Sequence, residues 1–454
     1  MIRSFHIAVG ICAIGFLWTF LAVFPGWLCH DTYHQLLDGL KGEWNDWLPF
    51  PISFLLVYSY KIIKTPLILL LLQNFFYWGS FINLSGFFYE KKQHILTVLV
   101  ALMSLYPPFL TYQGVIFNDT LPTNILFWVV TNQIYSQNKD IKNKTLLLGL
   151  LVFVGITKPS YLFSIYPIIL WILWGSKDQY FSFKLISKKF LWSISKPILI
   201  FTALVIVIGQ GITFVFNVKP AFHSQYIMMH DLSGILHYTD DCIFPEWNRS
   251  PVFTCEKLKQ SYTTIGLDHI IWQKPEDNLI VLNQDPLLHM KLSQIWMSSI
   301  IKHPIAYLKH RTLIFLHLFQ FPLKDYQVQY HFQGEDHDPK PTLGYEKRYS
   351  VWSDTLHTYI EESGAFGIFK GYRYLFLVFI SFIVASYFLI KRKSQDYQVQ
   401  TIFYVSLAGL LFYLPYFLIA PASYALRYLY WGNITALICL FLLISLAYPK
   451  KNID

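Results

Sequence analysis

An aspartate follows closely on the first apolar run of the chain, in Phe24-Pro25-Gly26-Trp27-Leu28-Cys29-His30-Asp31-Thr32-Tyr33-His34-Gln35. A carboxylate at the mouth of a membrane helix, partly shielded from water, has the chemistry of a general base. Asp119 opens the fourth apolar run and supplies a second acid. With both acids on one face, a donor and an acceptor fit between them and the lipid surface. An anionic leaving group needs cations on that face. The candidates are Lys158 in Thr157-Lys158-Pro159, the stretch from His303 and Pro304 to Lys309, His310 and Arg311, and Arg427. His30 and His34, one helical turn apart, can join Asp31 around a divalent ion.

Each of these residues also has a plainer use. Thr32 and Gln35 fit a capping box, which would make the polar cluster the start of an interfacial helix. Trp27, Trp44 and Trp47 suit any headgroup belt. Lys309, Arg311 and Arg427 can serve as anchors that snorkel from helix ends, and interfacial histidines are commonly just hydrogen-bonded.

The elements that must position these residues are apolar. Of 454 residues, 54% are hydrophobic and only 14% charged, against roughly 25% charged in soluble domains. That deficit excludes intrinsic disorder, coiled coil, collagen and a soluble two-domain enzyme. The net charge of +9 would suggest nucleic acid in a soluble protein. Here the cations sit at the ends of apolar runs, so membrane lipid and not nucleic acid is the expected partner.

Crossing about 30 Å of hydrocarbon takes about 20 residues. Ten runs are read as spans: Ser4 to Phe24, Pro66 to Phe88, Ile95 to Tyr112, Thr120 to Tyr135, Thr145 to Ile156, Ser160 to Trp174, Trp192 to Phe216, Tyr372 to Ile390, Thr401 to Ala420 and Tyr428 to Tyr448. The fifth and sixth are short and read as a tight hairpin or partly re-entrant pair. Lys and Arg at alternate span ends, among them Arg3, Lys91, Lys92 and Lys391, put both termini in the cytoplasm. Pro51 to Lys64 is then better laid along the outer interface than pushed through as a span. No small-residue cleavage site follows the first span, so it is expected to be retained.

The fold class is therefore an all-α polytopic membrane protein of about ten transmembrane helices. Residues 1–216 form an N-terminal membrane module whose first outer loop, 25–65, carries the acid. Residues 217–371 form an extracytoplasmic region, which holds 17 of the 27 acids and 11 of the 15 histidines. Residues 372–454 supply the last membrane helices. Within the outer region, Leu313 to Phe321 suits a buried or interfacial helix. Cys242 and Cys255 lie there, where an oxidising compartment allows them to pair. No CxxC, HExxH or zinc spacing occurs, so no cofactor is required, although a divalent metal ion is compatible with His30 and His34.

Pro25-Gly26-Trp27 followed by Asp31, Gln35, Gly42 and Asp46-Trp47-x-Pro49 resembles the GT-C superfamily. These are multi-spanning glycosyltransferases that use polyprenyl-phosphate-linked sugars, and the likeness is to a bacterial branch over about Met1 to Trp174. The resemblance implies that Asp31 is the catalytic base and Asp119 its supporting acid, with Gln35 and Trp47 of the same motif at the substrate. It also departs from that branch. Leu48 stands where His is common, Asn118 where a basic residue precedes the second acid, and Lys158 where Arg is common. Lysine still binds phosphate, as a point charge and not a fork. His230-Asp231-Leu232-Ser233-Gly234 resembles a further motif of the branch, lining the acceptor side.

The expected activity is inverting transfer of a sugar from a polyprenyl-phosphate donor to an envelope acceptor (glycan, lipid or protein) at the outer face of the bacterial cytoplasmic membrane. Lys158, Arg427, Arg311 and His303 are the expected substrate contacts. A transporter or lipid flippase is the rival reading, and a structural subunit of an envelope complex is a third. Charges that keep to span ends, with acids gathered on one outer face, favour chemistry at an interface over transport.

Overall fold

The computed structural model describes residues 3–136, 144–174, 188–272, 277–321, 350–391, 396–420, 423 and 426–447. These residues are mostly helical, with almost no sheet. Helix α1 (Arg3–Val23) leads through a two-residue strand β1 (Trp27–Leu28) into α2 (His30–Lys41) and α3 (Phe50–Ile63). Next come α4 (Leu67–Glu90), α5 (His94–Met103), the single turn α6 (Pro107–Leu110), strand β2 (Val115–Ile116) and α7 (Thr120–Tyr135). Helices α8 (Lys144–Thr157) and α9 (Leu162–Trp174) are joined by a 3-10 turn at Pro159–Tyr161, and α10 (Lys188–Val215) follows. Residues 217–371 supply α11 (Ser224–Thr239), α12 (Cys255–Ser261), α13 (Asp268–Ile271), α14 (Pro286–Lys302), α15 (Pro304–Leu318) and α16 (Val351–Ser363). Helices α17 (Gly371–Ile390), α18 (Tyr397–Ile419) and α19 (Tyr430–Ala447), the last after a 3-10 turn at Leu426–Leu429, end the described chain.

Among the described residues, six helices are long and apolar enough to cross a membrane: α1, α4, α10 from Trp192, α17, α18, and α19 with its preceding turn. Shorter apolar helices occupy the other expected spans. The third breaks after Met103, where Pro107 and Pro108 start a separate turn, since proline removes the amide a continuing helix needs. The fourth, fifth and sixth are helices of 16, 14 and 13 residues. The 14-residue α3 covers the stretch kept out of the span count and packs on α2, α4 and α8.

Contacts between distant segments sort the helix ends into two groups. Ser4 Oγ meets His94 Nδ1 at 2.9 Å, Lys91 donates to Gln398, Gln93 donates to the Ser445 carbonyl, and the Tyr397 hydroxyl donates to the Gln133 carbonyl. The start of α1, the α4–α5 turn, the end of α7, the start of α18 and the end of α19 thus share one end of the bundle. The charge alternation in the sequence requires that grouping.

Irregular backbone inside an apolar bundle survives only where protein groups satisfy its carbonyls and amides. The stretch from Thr111 to Asn118 is such a case. Gln73 and Asn74 of α4 donate to the Gln113 carbonyl at 2.8 and 3.0 Å, and Gln73 also reaches the Val115 carbonyl. The Gln113 side chain takes a bond from Asn124 (2.9 Å) and gives one to the Tyr430 hydroxyl (2.6 Å), which donates to Asn124. This fully buried network holds the chain just before Asp119.

Two hydrophobic cores are present. The larger joins the helices α1 to α9 with α17 to α19. The smaller lies within residues 226–292, around Met229, Leu232, Leu236, Leu258 and Ile271, and the Cys242–Cys255 disulfide closes a loop beside it, with Cα atoms 6.0 Å apart. The packing divides residues 217–371. Ile314, Leu318 and Phe319 of the α15 end, with Leu356 and Ile360 of α16, belong to the larger core, so the apolar run at Leu313 to Phe321 is buried against the bundle.

Candidate functional site

The two outer acids are brought together by β1 and β2. These pair in parallel, Trp27 with Val115 and Leu28 with Ile116, and the Trp27 amide donates to the Gly114 carbonyl at 3.1 Å. Gly114 permits the approach, because a Cβ there would overlap the Val23 side chain. Each strand runs straight into a helix start that carries an acid: Asp31 in the first turn of α2, Asp119 immediately before α7. A two-residue ladder therefore sets the two carboxylates side by side.

Helix α2 begins at His30 with Cys29 as its cap residue, and Thr32 Oγ1 donates back to the Cys29 carbonyl. That corrects the capping box expected at Thr32. Gln35 instead donates to the Pro49 carbonyl (3.2 Å) and to Ser53, tying α2 to the start of α3. It is a buried structural bracket in this conformation. Burial, reinforced by the Asp31 carboxylate, raises the Cys29 thiol above its ordinary value, which keeps it protonated and a poor nucleophile.

Both expected cations converge on these acids. Lys158 sits at the break between α8 and the 3-10 turn, and its Nζ lies 2.8 Å from Asp119 Oδ1. Arg427 bridges the pair, with Nη2 3.2 Å from Asp31 Oδ2 and Nε 3.6 Å from Asp119 Oδ2. Its guanidinium stands 5.0 Å from the Phe117 ring centroid and 5.7 Å from that of Tyr428, within cation–π range. The four side chains sum to no net charge. Their exposure is graded: Asp119 is buried at 5%, Arg427 and Lys158 are at 20% and 23%, and Asp31 is most open at 36%. An incoming group meets Asp31 first and finds the cations behind it.

Other expected site residues lie elsewhere. Arg311 is wholly buried, with Nη2 2.8 Å from Asp231 Oδ2, Nε 2.6 Å from Asp231 Oδ1 and Nη1 donating to the Ala420 carbonyl at 2.8 Å. These contacts lie within the protein and set Arg311 apart from the four converging side chains. Trp296 Nε1 also donates to Asp231 Oδ2 (2.8 Å) and His310 Nε2 lies 3.2 Å from Oδ1. Burial alone would raise the Asp231 carboxyl, but Arg311 and His310 outweigh it and hold it below the ordinary carboxylate value. Gly234 leaves room for the His310 ring, which a Cβ would overlap, so the 230–234 motif has a packing reason.

His303 pairs with Asp241 (2.8 Å) beside Lys302. Trp47 packs edge-on to Trp272 at 6.2 Å and lines an open cleft of about 540 Å³ with Asn45, Lys219 and Phe222. The His30 and His34 rings touch edge to face at 4.4 Å. Among the described residues no three His, Cys, Asp or Glu side chains gather closely enough to hold a metal ion.

Sequence reasoning missed Phe117, the aromatic face beside Arg427, and Asp231 as the partner of Arg311. Phe117 stands two residues before Asp119 and carried a signal only through that proximity; the Asp231–Arg311 pair spans 80 residues and carried none. Compared with known proteins, the chain matches no family model, and no curated protein or solved structure matches it significantly.

Proposed function

We propose that this protein transfers a sugar from a polyprenyl-phosphate-linked donor to an envelope glycan, lipid or protein, as a GT-C-type inverting glycosyltransferase of the bacterial cytoplasmic membrane with ten spans and both termini inside. The observation that carries the reading is the convergence of Asp31, Asp119, Lys158 and Arg427 on one half-open face. Asp31 removes the proton of an acceptor hydroxyl, the oxygen attacks the anomeric carbon, and the bond from that carbon to the phosphate oxygen breaks. The phosphate departs with the bonding electrons against Lys158 and Arg427, so it needs no proton at once. Asp119 holds both cations in position.

The transport reading draws on one feature, the helix break at Thr157 to Pro159 that exposes Lys158, because broken helices with ionisable groups mark transporter sites. One substitution separates the two. Asp31→Asn keeps shape and hydrogen bonding but cannot accept a proton, so transfer should fall roughly 10²-fold to 10⁴-fold while the protein still accumulates in the membrane. Release of polyprenyl phosphate, or gain of sugar on envelope acceptors, is compared at equal membrane abundance. Near-normal turnover by Asp31→Asn would overturn the proposal.

A further inference from the structure

Helices α14 and α15 carry an apolar stripe that is left exposed among the described residues. Leu287, Met290, Met297, Ile301, Ile305 and Leu308 recur at spacings of three, four or seven residues and keep to one face across the break at His303 and Pro304. All are about half exposed or more, with Ile301 at 73% and Ile305 at 82%. The opposite face is spent on the protein: Leu292, Ser299, Tyr307, His310 and Arg311 are buried, and both helices pack on α11. Within α14 the stretch from 287 to 301 runs for about 21 Å at the helical rise of 1.5 Å per residue.

Both of its ends are tied to the ends of membrane-length helices. At the start, the His289 ring stacks on Phe222 at 4.7 Å and its Nε2 meets Ser224 Oγ at 2.8 Å, shortly after α10 ends at Val215. At the finish, Arg311 donates to the carbonyl of Ala420, the residue after α18. The last residues of those helices are themselves bare and apolar: Phe214 and Val215 on α10, Leu418 and Ile419 on α18. The stripe continues that surface at the level where the spans stop. Lys291 flanks it, the residue type whose stem lies on apolar surface while its ammonium reaches headgroups; the Lys309 ammonium instead stands 4.2 Å from the Tyr238 ring centroid on α11.

We infer that α14 and α15 lie in the outer interface of the bilayer, with this stripe immersed among the acyl chains. A crossing is excluded by the cations Lys291, Lys302, Lys309 and Arg311 along the pair. The immersed pair anchors the outer region on the membrane. Through the Arg311 bond to the Ala420 carbonyl, it also ties α15 to the end of α18. The inference rests on the membrane reading above and not on the transfer chemistry.

The test uses the full chain in vesicles of phosphatidylethanolamine and phosphatidylglycerol, with a nitroxide on Met297→Cys, Ile301→Cys or Ile305→Cys, one at a time. Phe214→Cys is the lipid reference and Glu256→Cys, on exposed α12, the aqueous one; unsubstituted protein reports labelling of native cysteines. Power saturation with oxygen and with a water-soluble nickel chelate reads depth. The expected result at all three positions is high oxygen and low chelate accessibility, as at Phe214. Chelate accessibility equal to that at Glu256 would put the stripe in water, and exclusion of both reagents would put a protein surface, such as a second copy, over it. Either overturns the inference while leaving the membrane reading intact. Phe214 behaving as aqueous would instead overturn that reading, and the inference with it.

Discussion

Arg427 and Asp31 are 396 residues apart in sequence, yet Nη2 of one stands 3.2 Å from Oδ2 of the other. The same guanidinium reaches Asp119 through Nε, so the turn before α19 locks onto the starts of both α2 and α7 at once. Under the proposed transfer, an anionic donor would compete with Asp31 for Arg427, and winning that competition would free the Asp31 carboxylate as a base.

Arg427→Gln and Lys158→Gln should each weaken binding of polyprenyl phosphate without unfolding the protein. A lost charge-assisted bond costs about 1.5–3 kcal/mol, roughly 10-fold to 100-fold in affinity. Arg427→Gln should be the more severe, since Arg427 holds two acids. Arg427→Lys should fail to rescue, because one ammonium cannot span both carboxylates. Equilibrium binding of the lipid phosphate to purified variants checks this, and unchanged affinity in both Gln variants would reduce these residues to anchors.

Gly114→Ala should separate β1 from β2, because its Cβ overlaps Val23. Overpacking of this kind costs about 1–3 kcal/mol, and Val23→Ala should restore most of it. Thermal unfolding of the single and double variants reads the coupling. Activity should fall further than stability alone explains, since the ladder aligns Asp31 with Asp119.

Removing one partner of the Asp231–Arg311 pair leaves a buried charge alone. Arg311→Met or Asp231→Leu should each destabilise by about 3–5 kcal/mol, and the double variant by less than either. Denaturant titration in detergent, followed by Trp fluorescence, measures the order. A double variant worse than both singles would contradict it.

Acid should loosen the outer region. The His230 and His310 rings lie 4.8 Å apart, and burial lowers both, His230 to about 3. Unfolded histidine takes a proton near 6.5, whereas the folded side chains do not, so stability is full above that value and declines as pH drops through it. Asp231, held below 3.8 by Arg311, loses its contribution only in stronger acid, in the same direction. For one histidine the loss between pH 6.5 and pH 5 is about 2 kcal/mol. The unfolding midpoint should therefore fall steadily from pH 7 to pH 5, with His230→Asn flattening the slope; a flat profile for the unsubstituted protein would show that these rings are not kept neutral.

Chain order alone determined the helical class, most helix ends and the candidate ionisable residues. Uninterrupted apolar runs have one low-energy form in lipid, and charges can stop only where the run stops. Asp31, Asp119, Lys158 and Arg427 were legible for that reason: each is an ionisable group at the edge of an apolar run. Only the tertiary structure decided which of them meet. The meeting depends on a ladder of two residues, on Gly114 beside Val23, and on Gln73 and Asn74 satisfying the Gln113 carbonyl, none of which leaves a periodic trace. Arg311 marks the same limit from the other side. A run-edge arginine near histidines reads as a substrate contact, yet Asp231, 80 residues earlier, takes its charge inside, because a buried guanidinium is tolerable only where a carboxylate can be folded onto it.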